Sequence, residues 1–112
     1  MGRGRYSLET VRELELYPGY FGKVIHSQNM TLVYWRVKAG SHLPAHDHPH
    51  EQVVTVLEGR FELSFSGGET RLLGPGEIAV IAGTREHAGR AVTDCKFLDV
   101  CHPLRQGFLV EK

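Results

Sequence analysis

Short stretches of alternating apolar and polar residues, punctuated by glycine, dominate this chain. Phe61, Leu63 and Phe65 alternate with Glu62 and Ser64, the period-two pattern of a strand with one buried face. Met30 to Val37 is rich in β-branched and aromatic residues and ends at Ala39-Gly40. Gln52 to Leu57 reads as a strand, Glu58-Gly59 as a turn, and Phe61 to Phe65 as the returning strand. In Ser66-Gly67-Gly68, glycine supplies the positive φ that a hairpin turn requires. Arg71 to Leu73, the turn Gly74-Pro75-Gly76, and strands over Glu77 to Ala82, Glu86 to Ala91 and Lys96 to Val100 complete the series. Strands recurring at roughly eight to twelve residues predict an all-β sandwich or barrel. Helix is expected in one place only. Ser7 could cap Ser7 to Leu16, where Leu8, Val11 and Leu14 keep rough helical spacing, although Leu14 and Leu16 also alternate as in a strand.

At 112 residues the chain fits one domain, because two separate cores would each be too small to stand alone. Residues 1–29 are expected to form an N-terminal arm and first strand, 30–102 the barrel core, and 103–112 a tail. The apolar runs are far too short to cross a bilayer. Met1 to Tyr6 starts basic but no apolar run follows, so no secretory signal is read there and cytoplasmic residence is the expectation. Basic and acidic residues cancel at 13 each, and Lys and Arg form no dense block, which argues against a nucleic-acid partner. Cys95 and Cys101 do not form a CxxC pair and are expected as reduced, half-buried strand residues. Histidine is the unusual term: seven in all, four of them between His42 and His50.

In an extended strand, residues two apart project to the same face, so His46 and His48 present two imidazoles side by side. Gln52 shares their parity, whereas Asp47 and Glu51 point the other way unless a bulge intervenes. Two adjacent imidazoles are costly to bury unpaired, and a divalent cation satisfies both. A solvated, His-rich loop is the competing reading. It is weakened by the β-run from Val53 to Leu57 and by a distant His87 at the end of another strand-turn unit.

Gly40, five residues, His46-x-His48, three residues, Gln52, six residues and Gly59 resemble the first cupin motif. Pro75-Gly76-Glu77, a β-run and then His87 resemble the second, and together they cover Gly40 to Ala88. The resemblance implies a double-stranded β-helix, the cupin jelly-roll barrel. It also implies a divalent transition metal, manganese, iron, nickel or zinc, held by His46, His48, Gln52 and His87. Three positions depart from the pattern. Gln52 stands in place of glutamate, Ala82 in place of proline, and Thr84 where glycine or asparagine is common. The last two should loosen the turn before His87 without removing the ligand.

A neutral ligand set leaves the ion's charge uncompensated and favours an anionic partner, with two open positions on an octahedral ion. The tail, Leu98 to Leu109, is similar to the end of the small cupins of pectin and alginate degradation, whose first motif likewise reads HxHPHEQ. Those proteins convert unsaturated uronates to the open-chain keto form. The resemblance implies Asp99 as acid/base and Arg105 as carboxylate clamp, with Cys101 where that group has an aromatic residue. Asp99 could equally accept a hydrogen bond from a neighbouring strand, and Arg105 could be a solvated tail residue. The leading expectation is therefore a metal-dependent enzyme of isomerase or lyase type acting on a small anionic, sugar-derived substrate. An iron-dependent dioxygenase and a non-catalytic cupin that binds a small ligand or metal are the alternatives.

Other residues receive plainer roles. His50 follows Pro49 and is read as supporting the site; His42 belongs at a strand edge; His26 and His102 are packing or surface residues. Of Tyr34 and Trp35, which alternate faces, one enters the barrel. Glu77 is expected to make a turn hydrogen bond. Small cupins commonly dimerise through the N-terminus, so a homodimer is expected, with Tyr17 to Phe21 supplying apolar surface.

Overall fold

The computed structural model describes residues 4–46, 49–105 and 107, with the backbone but not the side chain of His46. Ten strands appear and no α-helix among the described residues: β1 Leu14–Tyr17, β2 Tyr20–His26, β3 Thr31–Val37, β4 His42–His46 and β5 Glu51–Glu58. The remainder are β6 Phe61–Phe65, β7 Thr70–Leu73, β8 Ile78–Ile81, β9 His87–Ala91 and β10 Cys95–His102. They form a six-stranded sheet in the order β1-β2-β3-β10-β5-β8 and a four-stranded sheet in the order β4-β9-β6-β7, with antiparallel pairing throughout. This is the jelly-roll fold. No helix among the described residues is long and apolar enough to cross a membrane.

The core lies between the two sheets and follows the period-two pattern. Phe61, Leu63 and Phe65 of β6 are buried, as are Val33, Trp35 and Val37 of β3 and Val54 and Val56 of β5. Of Tyr34 and Trp35, Trp35 is the residue that turns inward. Each fully buried valine or phenylalanine contributes on the order of 1.5–3 kcal/mol relative to exposure. Phe61 and Phe97 bridge the sheets with ring centroids 4.5 Å apart. Cys95 and Cys101 are fully buried free thiols on the inner face of β10, not the half-buried residues expected.

Turn chemistry follows the sequence closely. Gly67 and Gly68 adopt φ of 98° and 96° between β6 and β7. Gly59 has φ of 82°, and a Cβ there would lie 2.1 Å from the Asp94 carbonyl oxygen, so only glycine fits between β5 and β6. Glu77 accepts the Gly74 amide at 2.7 Å, the turn hydrogen bond expected of it.

The N-terminal segment differs from expectation. The helix read over Ser7 to Leu16 is a single turn, in which the Thr10 and Val11 amides donate to the Ser7 carbonyl and the Glu9 amide to Ser7 Oγ. β1 then pairs with β2, Leu14 opposite Gly22 and Glu15 opposite Phe21. A helix this short is marginal in water, while the open edge of β2 offers backbone partners and the Leu14/Leu16 alternation suits it. The segment before residue 30 thus carries two strands where one was expected. Tyr20 is buried in the core, which removes it from the apolar surface expected of Tyr17 to Phe21. The Phe21 ring lies under Arg36 and Lys38. Large exposed apolar side chains stand instead on β5 and the edge strand β8, at Leu57, Ile78 and Val80.

Candidate metal centre

β4 carries a bulge that decides its register. His42 and Leu43 stand opposite Arg90 and Gly89, but His46 stands opposite His87, so two residues of β4, Pro44 and Ala45, lie against the single Ala88 of β9. The extra residue falls at Pro44-Ala45, a site where proline is tolerated because the ladder is already interrupted. Leu43 and His46 have opposite parity in sequence, yet they face partners that lie two apart on one face of β9. His48 and the His46 side chain lie outside the described residues. Among the described residues no group of three His, Cys, Asp or Glu could hold an ion.

His87 and Gln52 are described, and both are buried beside one cavity. His87 Nδ1 lies 2.8 Å from the Arg85 carbonyl oxygen. A carbonyl can only accept, so Nδ1 carries the proton and Nε2 is the lone-pair nitrogen, as in a metal-ligating histidine. Gln52 Nε2 donates to Asp99 Oδ1 at 2.9 Å. With its NH2 directed to the carboxylate, the amide presents Oε1 on its other side. The donor set of His87 and Gln52 therefore fits a divalent transition metal.

Asp99 sits in the middle of the six-stranded sheet, opposite Val33 of β3 and Val54 of β5. Its donors come from the two diagonals: Trp35 Nε1 to Oδ2 at 3.0 Å, and Gln52 Nε2 to Oδ1. Both carboxylate oxygens thus carry a side-chain hydrogen bond in a buried position. Below this polar end the cavity is aromatic. Tyr20 packs edge-on to Trp35 with centroids 5.7 Å apart, and Tyr17 lies 6.1 Å from each ring. The Tyr20 hydroxyl is 3.4 Å from the Gly89 carbonyl oxygen, and burial, then the nearby Cys95 and Asp99, push its phenol pKa up. The cavity is partly open, with about 40 Å3 of space for water-sized groups within it.

The cupin domain family matches residues 33–101, most of the sequence. The chain belongs to the cupin family. KdgF from Halomonas sp. matches with a TM-score of 0.85 at 26% identity, covering 93% of this chain and 96% of that one. An RmlC-like cupin from Desulfovibrio desulfuricans matches at 30% identity and a TM-score of 0.72, covering 94% and 100%. An RmlC-like cupin from Shewanella frigidimarina NCIMB 400, at 20% identity, has a TM-score of 0.89 over 96% and 97% of the two chains, a likeness of fold alone. Comparison with curated proteins finds no match.

In this cupin, Arg105 lines the same cavity as Gln52, His87 and Asp99. Its backbone is held just past β10: the Arg105 amide donates to Thr31 Oγ1 at 2.8 Å, and His50 Nε2 lies 3.2 Å from the Leu104 carbonyl oxygen. His50 thus supports the tail that presents Arg105. Arg105 Nη1 is 4.0 Å from Cys101 Sγ. Burial, and then the charge of Asp99, push the Cys101 thiol up to about 11, so it is a neutral packing group near neutral pH. His42 and His102 are exposed, and His26 binds Thr31.

Two residues of the site were not singled out from the sequence: Trp35 as a donor to Asp99, and Thr31 as the anchor of Arg105. A signal existed for the first. A buried indole needs a partner for its N–H, and an acidic residue of inward parity on another strand is a ready acceptor. Nothing local marks Thr31.

Proposed function

We propose that this cupin holds a divalent transition metal through His46, His48, Gln52 and His87, and acts on a small anionic sugar-derived substrate. The substrate class is an unsaturated uronate, converted from the cyclic enol form to the open-chain keto form. The observation that carries the reading is the convergence of Gln52, His87, Asp99 and Arg105 on one cavity. The HxHPHEQ phrase and the likeness to KdgF from Halomonas sp. over 93% of the chain support it.

When bound, the metal supplies Lewis acidity to substrate oxygens. Arg105 binds the uronate carboxylate through a bidentate pair, which sets the ring's orientation. Asp99 is held by Trp35 and Gln52 beside the cavity, where a carboxylate can move a proton. It takes the proton from a substrate hydroxyl oxygen as the ring bond breaks, and returns it to the alkene carbon. No atom is gained or lost, so the step is an isomerisation. The Trp35, Tyr20 and Tyr17 rings form an aromatic wall below the polar end.

Incubation with an unsaturated uronate tests this directly by loss of its ultraviolet absorbance. At saturating metal, Asp99→Asn should lose turnover. A decay no faster than buffer with the parent protein would sink the reading, and oxygen uptake on substrate addition would replace it with an oxygenase.

A further inference from the structure

Asp99 is the one carboxylate among the buried described residues, and its hydrogen bonds have only one consistent direction. The indole Nε1–H of Trp35 can only donate, so Asp99 Oδ2 accepts. An ionised carboxylate is acceptor-only, so Oδ1 requires a donor from Gln52, and that donor must be the NH2. The orientation of the Gln52 amide is therefore imposed by residues on two other strands. The carboxylate also places a full negative charge one hydrogen bond from an otherwise neutral ligand set.

We propose that Asp99, held by Trp35, is the positioning residue of the metal site: it turns the Gln52 amide oxygen towards the ion and, among the described residues, supplies a compensating charge one hydrogen bond from that ligand. This rests on the metal-site reading of the preceding section and not on its substrate. The relay runs Trp35 N–H to Asp99, and Gln52 N–H to Asp99. Changing one member alone breaks its polarity. In Asp99→Asn, either the new NH2 faces the Trp35 N–H, or it faces Gln52 and turns the Gln52 oxygen away from the ion. In Gln52→Glu, two carboxylates meet with no proton donor between them. The swap Gln52→Glu with Asp99→Asn restores every pairing: Trp35 N–H to the Asn carbonyl, and the Asn NH2 to the Glu carboxylate.

The test is a double-mutant cycle read two ways, by calorimetric titration of chelator-stripped protein with Ni2+ alone and by thermal unfolding without metal. Each single change should weaken Ni2+ binding on the order of ten- to a hundredfold, and the double variant should recover most of that loss. The unfolding midpoints should follow the same pattern. Trp35→Phe, which keeps a ring and removes the donor, should weaken Ni2+ by a smaller factor. Parent-like binding in both single variants overturns the proposal, as does a double variant that sums the two losses or does not fold. Rescue of unfolding without rescue of Ni2+ binding overturns the metal half. Because no substrate enters the cycle, failure of uronate turnover leaves it unaffected, and a parent that binds none of Ni2+, Mn2+, Fe2+ and Zn2+ rejects the metal site itself.

Discussion

The main-chain N–H of Arg105 donates to the side-chain oxygen of Thr31 at 2.8 Å, across 74 residues of sequence. The same hydroxyl lies 2.9 Å from His26 Nδ1. With two lone pairs and one proton, the Thr31 hydroxyl can serve both contacts at once. Thr31 is fully buried, so water cannot replace either bond. Thr31→Val keeps the shape and removes the hydroxyl. It should cost about 1–3 kcal/mol in denaturant unfolding, the penalty of a buried amide left without its acceptor. If Arg105 clamps a carboxylate, the same variant should raise KM for a uronate more than it lowers kcat.

Thr84 precedes His87 with φ of 68°, a left-handed conformation in which a β-branched side chain is strained. Asparagine tolerates this region through local hydrogen bonding. Thr84→Asn should therefore raise stability by about 1 kcal/mol, read as a shift of the urea midpoint with unchanged slope. The turn is thus held in its bend at a cost that glycine or asparagine at this position would avoid. An unchanged or lower midpoint would show that Thr84 carries no strain.

Burial, and then the adjacent Asp94 charge, raise the Cys95 thiol from the ordinary 9.0 to about 11. Between these values the unfolded chain has released the proton and the folded chain has kept it, so stability falls as pH rises through that window. Cys95→Ala should flatten the decline of melting temperature between pH 9 and 11 relative to the parent. Alkylation of Cys95 in the native protein at pH 8 should be negligible and become complete in denaturant. Rapid native labelling would contradict the burial.

Metal linkage offers a check that needs no substrate. A ligand that binds only the folded state at a hundred times its Kd stabilises by about 2.7 kcal/mol. Ni2+ at that excess should raise the melting temperature of the parent, a chelator should reverse it, and His87→Ala should abolish it. A parent indifferent to Ni2+, Mn2+, Fe2+ and Zn2+ would reject the ligand set.

Much of the fold was legible because strands announce themselves through local alternation. β6 occurs over the same residues, Phe61–Phe65, that its pattern marked, and β3, β5, β8, β9 and β10 fall within one or two residues of expectation. β2 escaped notice for a physical reason. Its inward positions are Tyr20, Gly22 and Val24, and Gly22 is small because Val33 and Trp35 fill the space a side chain would need. Read alone, Tyr20 to His26 shows no clean apolar face. The single turn at Ser7 failed to become a helix because partners along β2 outweighed a short segment's own propensity.

By itself the sequence determined an all-β chain, the turns that need glycine, and the donor atoms available to a metal. These depend on residue identity and near neighbours. Only the tertiary structure decided the bulge at Pro44-Ala45 that sets His46 opposite His87, and the donors that hold Asp99. Gln52 and Trp35 reach that carboxylate from 47 and 64 residues away. Their meeting depends on the register of three neighbouring strands, and register belongs to the assembled sheet, not to any segment within it.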